Sequence, residues 1–175
     1  SAEANFLCTM TLLEQGDELI FMVPNYLQIG TLASSIGVEV KEIRLRPELN
    51  WQMDLDELSS LVTPKTKMIA VCTPNNPTGA IMSPESMAGV RRIADENDLY
   101  LLTDEVYRGA ELSGVESPSV YTGRKKDIVN SGLSKAYRLP GLRLGWSVTD
   151  PDTIWRLWKL HDYTTISLGT VSDAV

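Results

Sequence analysis

Lys135 is the residue whose position says most about chemistry in this sequence. It ends the segment 131–135 (SGLSK), just after the apolar pair Ile128 and Val129, and Arg143 follows it by eight positions. A lysine near the end of a buried strand is unfavourable unless its charge is neutralised, paired or used covalently. The position of Lys135 therefore indicates a functional amine.

Two further segments close apolar strands with polar side chains. Residues 74–79 (PNNPTG) supply amides, and residues 103–107 (TDEVY) supply carboxylates and a phenol. In an open parallel sheet, ligands collect outside the carboxyl ends of the strands. Because Asn76, Asp104 and Lys135 each follow such an end, we expect them to share one site.

The side chains of this expected site match the functional groups of one cofactor. A lysine amine forms a Schiff base with an aldehyde, and a carboxylate keeps a pyridine nitrogen protonated, which makes the ring a better electron sink. Tyrosine and asparagine can hydrogen-bond a phenolate oxygen, and arginine can hold a phosphate through a bidentate fork. An aldehyde, a pyridine, a phenolate and a phosphate on one molecule describe pyridoxal 5′-phosphate (PLP).

The elements that must position these groups alternate between strand and helix patterns. Strands are predicted at residues 18–23, 38–45, 67–72, 100–103, 128–131 and 144–148. Helices are predicted at residues 26–35, 55–61, 84–97 and 152 to about 163, the chain opens with a helix at residues 1–13, and residues 167–175 approach another. Short, nearly all-apolar strands are typical of parallel sheets buried on both faces. The order predicts an α/β fold: a three-layer αβα sandwich with a mostly parallel sheet.

The composition excludes several classes of protein. With 175 residues, 43% apolar and 22% charged, the chain can form one globular domain rather than a disordered segment. A net charge of -7 argues against a nucleic-acid partner, and no apolar run approaches the roughly 18 residues that span a bilayer. Cys8 and Cys72 lack metal-ligand spacing and indicate reduced thiols of a cytoplasmic protein. His161 is the only histidine, which leaves little for a His-based triad or metal site.

Four motifs together resemble the large domain of the fold-type I PLP enzymes, in the class I and II aminotransferase family. They are residues 75–79 (NNPTG), 104–107 (DEVY), 134–135 (SK) and 140–145 (PGLRLG). Any one motif is a weak signal, but their order and spacing match across essentially the whole chain. The resemblance implies an enzyme that transfers an amino group between an amino acid and a 2-oxo acid. It also implies a homodimer with the active site at the subunit interface.

The resemblance assigns catalytic roles to matching positions. Lys135 would form the Schiff base and carry the proton of the 1,3-shift, and Asp104 would pair with the pyridine nitrogen. Glu105 is the alternative for the inward carboxylate, although the motif favours Asp104. Tyr107 and Asn76 would bond the phenolate oxygen.

The resemblance also assigns the phosphate end and the ring face of the cofactor. Arg143 would hold the phosphate, with Arg138 as the alternative. Tyr26 would stack on the cofactor ring. Ser1 and Ala2 open the first helix, where free backbone N–H groups and the helix dipole suit a phosphate.

The chain departs from the family pattern in three respects. Gly132 occupies the position where many relatives have a phosphate-binding serine. The family's N-terminal segment is missing, and so is the small C-terminal domain that carries the arginine for the substrate carboxylate. We therefore expect residues 1–175 to be a partial PLP-binding large domain, truncated at both ends and lacking its first strand and the small domain.

Two other functions remain open from the sequence. A PLP-dependent C–S lyase or other β-eliminating enzyme would share every motif, because regions outside this sequence largely set the reaction type. The chain could also be a catalytically inactive fragment that keeps the fold.

Overall fold

The computed structural model describes residues 1–174 and is built on one six-stranded sheet. The strands are β1 (Glu18–Val23), β2 (Glu39–Arg44), β3 (Thr66–Cys72), β4 (Tyr100–Asp104), β5 (Asp127–Gly132) and β6 (Gly145–Val148). Their order is β2-β1-β3-β4-β5-β6. The first five strands are parallel, and β6 runs antiparallel to β5. The predicted mostly parallel sheet is confirmed.

The helices are α1 (Ala2–Leu12), α2 (Gln28–Ser35), α3 (Leu55–Leu61), α4 (Pro84–Glu96), α5 (Pro151–His161) and α6 (Thr170–Asp173). The predicted helix at 26–35 begins too early, because the backbone N–H of Tyr26 is held by the side chain of Asn25 in the turn before α2. Short 3-10 turns at Pro47–Leu49 and Pro140–Leu142 were not predicted. The helix expected within 167–175 is α6, and residue 175 lies outside the described residues. In residues 1–174, no helix is both long and apolar enough to cross a bilayer.

Two apolar clusters cover the two faces of the sheet, because successive strand residues point to opposite sides. On one face, Ile20 and Ile69 pack with residues of α3 and α4 such as Leu58 and Val90. On the other face, strand residues pack with α1, α2 and α5; these include Leu19, Phe21, Met68, Cys8, Ile29 and Leu157. Burying a large aliphatic side chain stabilises the fold by about 1.5–3 kcal/mol. These clusters give the helix–sheet–helix layers that the sequence predicted.

Residue pairing across the sheet brings the loops after β3, β4 and β5 to one edge. Cys72 on β3 pairs with Asp104 on β4, and Asp104 pairs with Asn130 on β5. The chain leaves β1 for β2 on one side and returns to β3 on the other side of β1. In open α/β sheets, such a switch in direction forms a crevice outside the carboxyl ends of the strands.

Capping residues fix where the helices on the outer layers begin. Ser83 caps α4 through its Oγ, which accepts a hydrogen bond from the N–H of Ser86 at 3.1 Å. Asp150 caps α5, with its side chain accepting from the N–H groups of Asp152 and Thr153. Such a cap contributes about 1 kcal/mol.

Candidate active site at the carboxyl edge of the sheet

A cavity of about 1250 Å³ opens at the edge where the parallel strands end. Its walls come from the loops after β1, β3, β4 and β5, from the start of α1 and from α5. All eight residues predicted for the site line it: Ser1, Ala2, Tyr26, Asn76, Asp104, Tyr107, Lys135 and Arg143. The structure therefore brings the predicted residues together around one space.

Asp104 ends β4 and is 9% exposed. Its Oδ2 accepts a hydrogen bond from Nδ2 of Asn5 at 2.9 Å, and its Oδ1 accepts one from the N–H of Val106 at 3.0 Å. Burial raises the pKa of Asp104, and these two hydrogen bonds oppose that rise. Both donors are neutral, so the buried carboxylate would gain from a cation in the cavity.

Glu105 follows Asp104 but faces a different space. It lines a second cavity of about 460 Å³, together with Tyr121 and Trp146. Its Oε1 accepts hydrogen bonds from the N–H of Val120 at 2.6 Å and from Oγ of Ser119 at 3.0 Å. Burial raises the pKa of Glu105 as well. The geometry favours Asp104 over Glu105 as the carboxylate of the large cavity, because Oε1 of Glu105 anchors the 119–120 loop.

Lys135 lies in the turn after β5 and is exposed to the large cavity. Its Nζ lies 5.9 Å from the centroid of the Tyr107 ring. Burial raises the pKa of the half-buried Tyr107, and the nearby Cys72 and Asp104 raise it further. Burial and Asp104 also raise the pKa of Cys72 to about 12, which keeps that thiol neutral. The amine and the phenol are thus neighbours on the cavity wall.

Asn75 fixes the loops that carry Asn76 and Tyr26. Its Nδ2 donates to the backbone oxygen of Pro24 at 3.2 Å, and its Oδ1 accepts from Oγ1 of Thr78 at 2.7 Å. The loop after β3 is therefore tied to the loop after β1. Tyr26 is 60% exposed and presents its ring at the cavity.

The basic end of the cavity is formed by Arg143 and the start of α1. Arg143 has a φ of 53° after the 3-10 turn, and its Nη1 donates to the backbone oxygen of Pro140 at 2.8 Å. Arg143, and not Arg138, lines the cavity. The backbone oxygen of Ala2 accepts from Nε2 of Gln28 at 2.9 Å, which joins the start of α1 to α2.

Gly132 has a packing reason for lacking a side chain. A Cβ at this position would lie 2.9 Å from the backbone oxygen of Leu144 and 3.1 Å from the nitrogen of Ser1. A serine here would collide with β6 and with the first residue of the α1 segment. The departure from the family pattern therefore follows from the close approach of three backbone segments.

Three polar residues that are linked to Asp104 by hydrogen bonds were not predicted from the sequence. They are Asn5 on α1, Asn130 on β5 and Ser147 on β6. Asn130 is fully buried inside the strand sequence DIVNSG. An asparagine directly after the apolar pair Ile128 and Val129 was a signal, because a buried amide needs hydrogen-bond partners.

The donor set fits PLP better than a metal ion. Residues 1–174 contain no group of three or more His, Cys, Asp or Glu side chains that could hold a metal. The cavity instead offers an amine, a buried carboxylate, a phenol, an amide and a guanidinium at Lys135, Asp104, Tyr107, Asn76 and Arg143. These groups complement an aldehyde, a pyridine nitrogen, a phenolate oxygen and a phosphate.

Comparison of sequences gives consistent matches along the chain. The family model described as "Aminotransferase class I and II" matches residues 1–171. The chain is 33% identical to a capreomycidine synthase of Streptomyces vinaceus, an alignment that covers 100% of this chain and 45% of that protein. It is 28% identical to an aspartate/prephenate aminotransferase of Thermus thermophilus, covering 98% of this chain and 44% of that protein.

Comparison with solved structures gives the same picture of the fold. A PLP-dependent aminotransferase from Streptococcus suis superposes with a TM-score of 0.91 and 38% identity, covering 98% of this chain and 45% of that one. An aspartate aminotransferase from Thermotoga maritima superposes with a TM-score of 0.91 and 28% identity, covering 98% and 46%. The chain thus spans less than half the length of these relatives.

Proposed function

Because the chain belongs to the class I and II aminotransferase family, we propose that it is part of a PLP-dependent aminotransferase. Such an enzyme moves an amino group between an amino acid and a 2-oxo acid. PLP is the cofactor of this family, and when bound it supplies an electron sink for carbanion chemistry. One observation carries the proposal: Lys135 and Asp104, from the ends of two neighbouring strands, line the same cavity.

Lys135 and Asp104 have complementary tasks in this proposal. The Nζ of Lys135 is the amine that holds the cofactor covalently and then carries the proton at the substrate α-carbon. The carboxylate of Asp104 keeps the heterocyclic nitrogen protonated, and its burial strengthens that ion pair. Their positions on one cavity wall support this division of roles.

The remaining residues bind and orient the cofactor. Tyr107 and Asn76 hydrogen-bond its phenolate oxygen, and Tyr26 stacks on the ring. The exposed ring of Tyr26 and the 5.9 Å approach of the Lys135 amine to the Tyr107 ring support these roles. A bidentate guanidinium suits the phosphate, a role that we give to Arg143.

The start of α1 is the second element of the proposed phosphate site. Ser1 and Ala2 lie on the cavity at the N-terminal end of an 11-residue helix. Free N–H groups and the helix dipole favour an anion there. The phosphate would therefore sit between a guanidinium and a helix terminus.

We further propose that residues 1–175 belong to the PLP-binding large domain of a cytoplasmic homodimer. The single sheet with two covering layers supports one domain. The buried free thiols of Cys8 and Cys72 support a reducing compartment. Tyr137 and Leu139 are exposed next to the Lys135 turn, which supports a subunit contact near the site. The net charge of -7 supports the absence of a nucleic-acid partner.

A reaction other than amino-group transfer is the second candidate. One relative at 33% identity is named a synthase rather than an aminotransferase, so family membership covers more than one reaction. A C–S lyase or other β-eliminating enzyme would use the same cofactor and the same lysine. The third possibility, an inactive fragment, predicts cofactor binding at most.

Product analysis separates these three functions. The protein is mixed with PLP and an amino acid, and the products are identified with and without an added 2-oxo acid. We expect a new 2-oxo acid and exchange of the amino group, both lost in Lys135→Ala. Pyruvate and ammonia from a cysteine-like substrate would establish the lyase instead, and absence of any product would establish an inactive fragment.

A further inference from the structure

We propose that Asn5, Asn130 and Ser147 are positioning residues that hold the Asp104 carboxylate as an oriented anion through a one-way chain of hydrogen bonds. The inference rests on the proposed PLP function, because it concerns the carboxylate that we assign to the cofactor nitrogen. It extends that function by naming the residues that orient this carboxylate.

The chain of hydrogen bonds crosses four elements of the fold. Oγ of Ser147 on β6 donates to Oδ1 of Asn130 on β5 at 2.6 Å. Nδ2 of Asn130 donates to Oδ1 of Asn5 on α1 at 2.9 Å. Nδ2 of Asn5 then donates to Oδ2 of Asp104 on β4 at 2.9 Å. Every donor therefore points towards the carboxylate.

The direction of these hydrogen bonds is the one that an ionised Asp104 requires. An ionised carboxylate can only accept, so Asn5 must turn its NH₂ group towards it and its oxygen towards Asn130. Asn130 must then present its own NH₂ group to Asn5, which leaves its oxygen for the hydroxyl of Ser147. A protonated Asp104 would allow the reverse orientation of Asn5. The arrangement thus matches the anion that a protonated heterocycle requires.

Burial makes these hydrogen bonds important for the charge on Asp104. Asn5 is 2% exposed and Asn130 is fully buried, so water does not replace a lost partner. Hydrogen bonds to charged groups are stronger than those between neutral groups, and aligned bonds in a low dielectric strengthen one another. The network opposes the burial that raises the pKa of Asp104.

Other titratable groups also lie near Asp104. They are Cys72 on β3, Glu105 and Tyr107 after β4, and the α-amino group of Ser1 before α1. Asn130 also donates from Nδ2 to Sγ of Cys8 at 3.5 Å. Burial raises the pKa of Cys8 to about 11, so this thiol adds no charge near neutral pH. Of the side-chain groups near Asp104, Asn5 is the one that bonds its carboxylate directly.

The test measures the pKa of Asp104 in the cofactor-free protein by ¹³C NMR of labelled aspartate, with the signal assigned through Asp104→Asn. Asn5→Leu keeps the approximate shape and removes the donor. The matched control is Thr9→Val on the same helix, which removes a buried hydrogen bond from Oγ1 of Thr9 to the backbone oxygen of Asn5. We expect Asn5→Leu to raise the pKa of Asp104 by about one unit or more, a tenfold shift in protonation.

Ser147→Ala is a milder variant, at the end of the hydrogen-bond chain that is furthest from Asp104. It is used if Asn5→Leu fails to fold. It should shift the pKa of Asp104 upward by a smaller amount, while Thr9→Val leaves it within about 0.3 units of the unaltered protein. If the pKa of Asp104 were the same in Asn5→Leu and Ser147→Ala as in Thr9→Val, the inference would be overturned.

Covalent trapping of PLP in the unaltered protein separates this inference from the proposed function. PLP trapped on Lys135, together with an unchanged Asp104 pKa in Asn5→Leu and Ser147→Ala, would overturn the positioning role alone. A raised pKa without PLP on Lys135 would support the hydrogen-bond chain and overturn the cofactor assignment.

Discussion

The carboxylates of Asp104 and Glu105 are neighbours in sequence but face two different cavities. Asp104 lines the space that also receives the amine of Lys135, whereas Glu105 lines the smaller cavity and holds the backbone of Val120. This divergence at the end of β4 gives each carboxylate a separate task. One is available for a ligand, and the other stabilises a loop.

The unfolding free energy should depend on pH through Asp104. Burial raises the pKa of this acid in the folded state, so the cofactor-free folded chain holds the proton more tightly than the unfolded chain. The stability from Asp104 is therefore fully present below the unfolded pKa of about 3.9 and is lost as pH rises through the folded pKa. Asp104→Asn should remove this loss.

Urea unfolding of both proteins at several pH values between about 4 and 7 checks this prediction. The unfolding free energy of Asp104→Asn relative to that of the unaltered protein should increase with pH. A constant offset of either sign reflects the amide itself and is independent of pH. Parallel stability curves would contradict the assigned effect of burial.

Arg143→Ala should weaken PLP binding through the phosphate. Loss of a charge-assisted hydrogen bond removes about 1.5–3 kcal/mol, which corresponds to a roughly 10- to 150-fold higher dissociation constant. Titration with PLP measures this change, and pyridoxal, which lacks the phosphate, serves as the control ligand. Arg138→Ala is the matched variant, because Arg138 is exposed outside the cavity lining. Equal weakening of PLP and pyridoxal by Arg143→Ala would refute the phosphate role.

Gly132→Ser should destabilise the fold where β5, β6 and the start of α1 meet. The added Cβ would lie 2.9 Å from the backbone oxygen of Leu144, and such overpacking removes about 1–3 kcal/mol of stability. Gly141→Ser provides the control, because a Cβ there meets no atom within 4 Å. Urea unfolding should show a loss for Gly132→Ser and a change within about 0.5 kcal/mol for Gly141→Ser. Equal stabilities would show that the backbone can open at this point.

The strands and the layer order were predictable because they depend on local composition. The apolar segment Glu18–Val23 became β1 with the predicted bounds, and it is buried along its whole length. The helix predicted at residues 84–97 is α4 (Pro84–Glu96). The convergence of Asn76, Asp104 and Lys135 followed from the rule that parallel strands end at a common edge.

Other features depend on contacts that the local sequence does not encode. Asn5 meets Asp104 across 99 positions, so this bond becomes visible only when α1 lies against β4. Arg143 has a left-handed backbone, which a non-glycine residue adopts here at the end of the Pro140–Leu142 turn. The choice between Asp104 and Glu105 required the direction of each side chain at the strand end. Tertiary packing set all three features.

Covalent trapping decides whether Lys135 is the amine that holds PLP. The protein is mixed with PLP, reduced with borohydride and mapped by peptide mass spectrometry, with Lys65→Ala as the control for an exposed lysine. We expect a stoichiometric pyridoxyl adduct on Lys135, retained in Lys65→Ala and lost in Lys135→Ala. An unmodified Lys135 peptide, or an adduct spread evenly over the surface lysines, would contradict it.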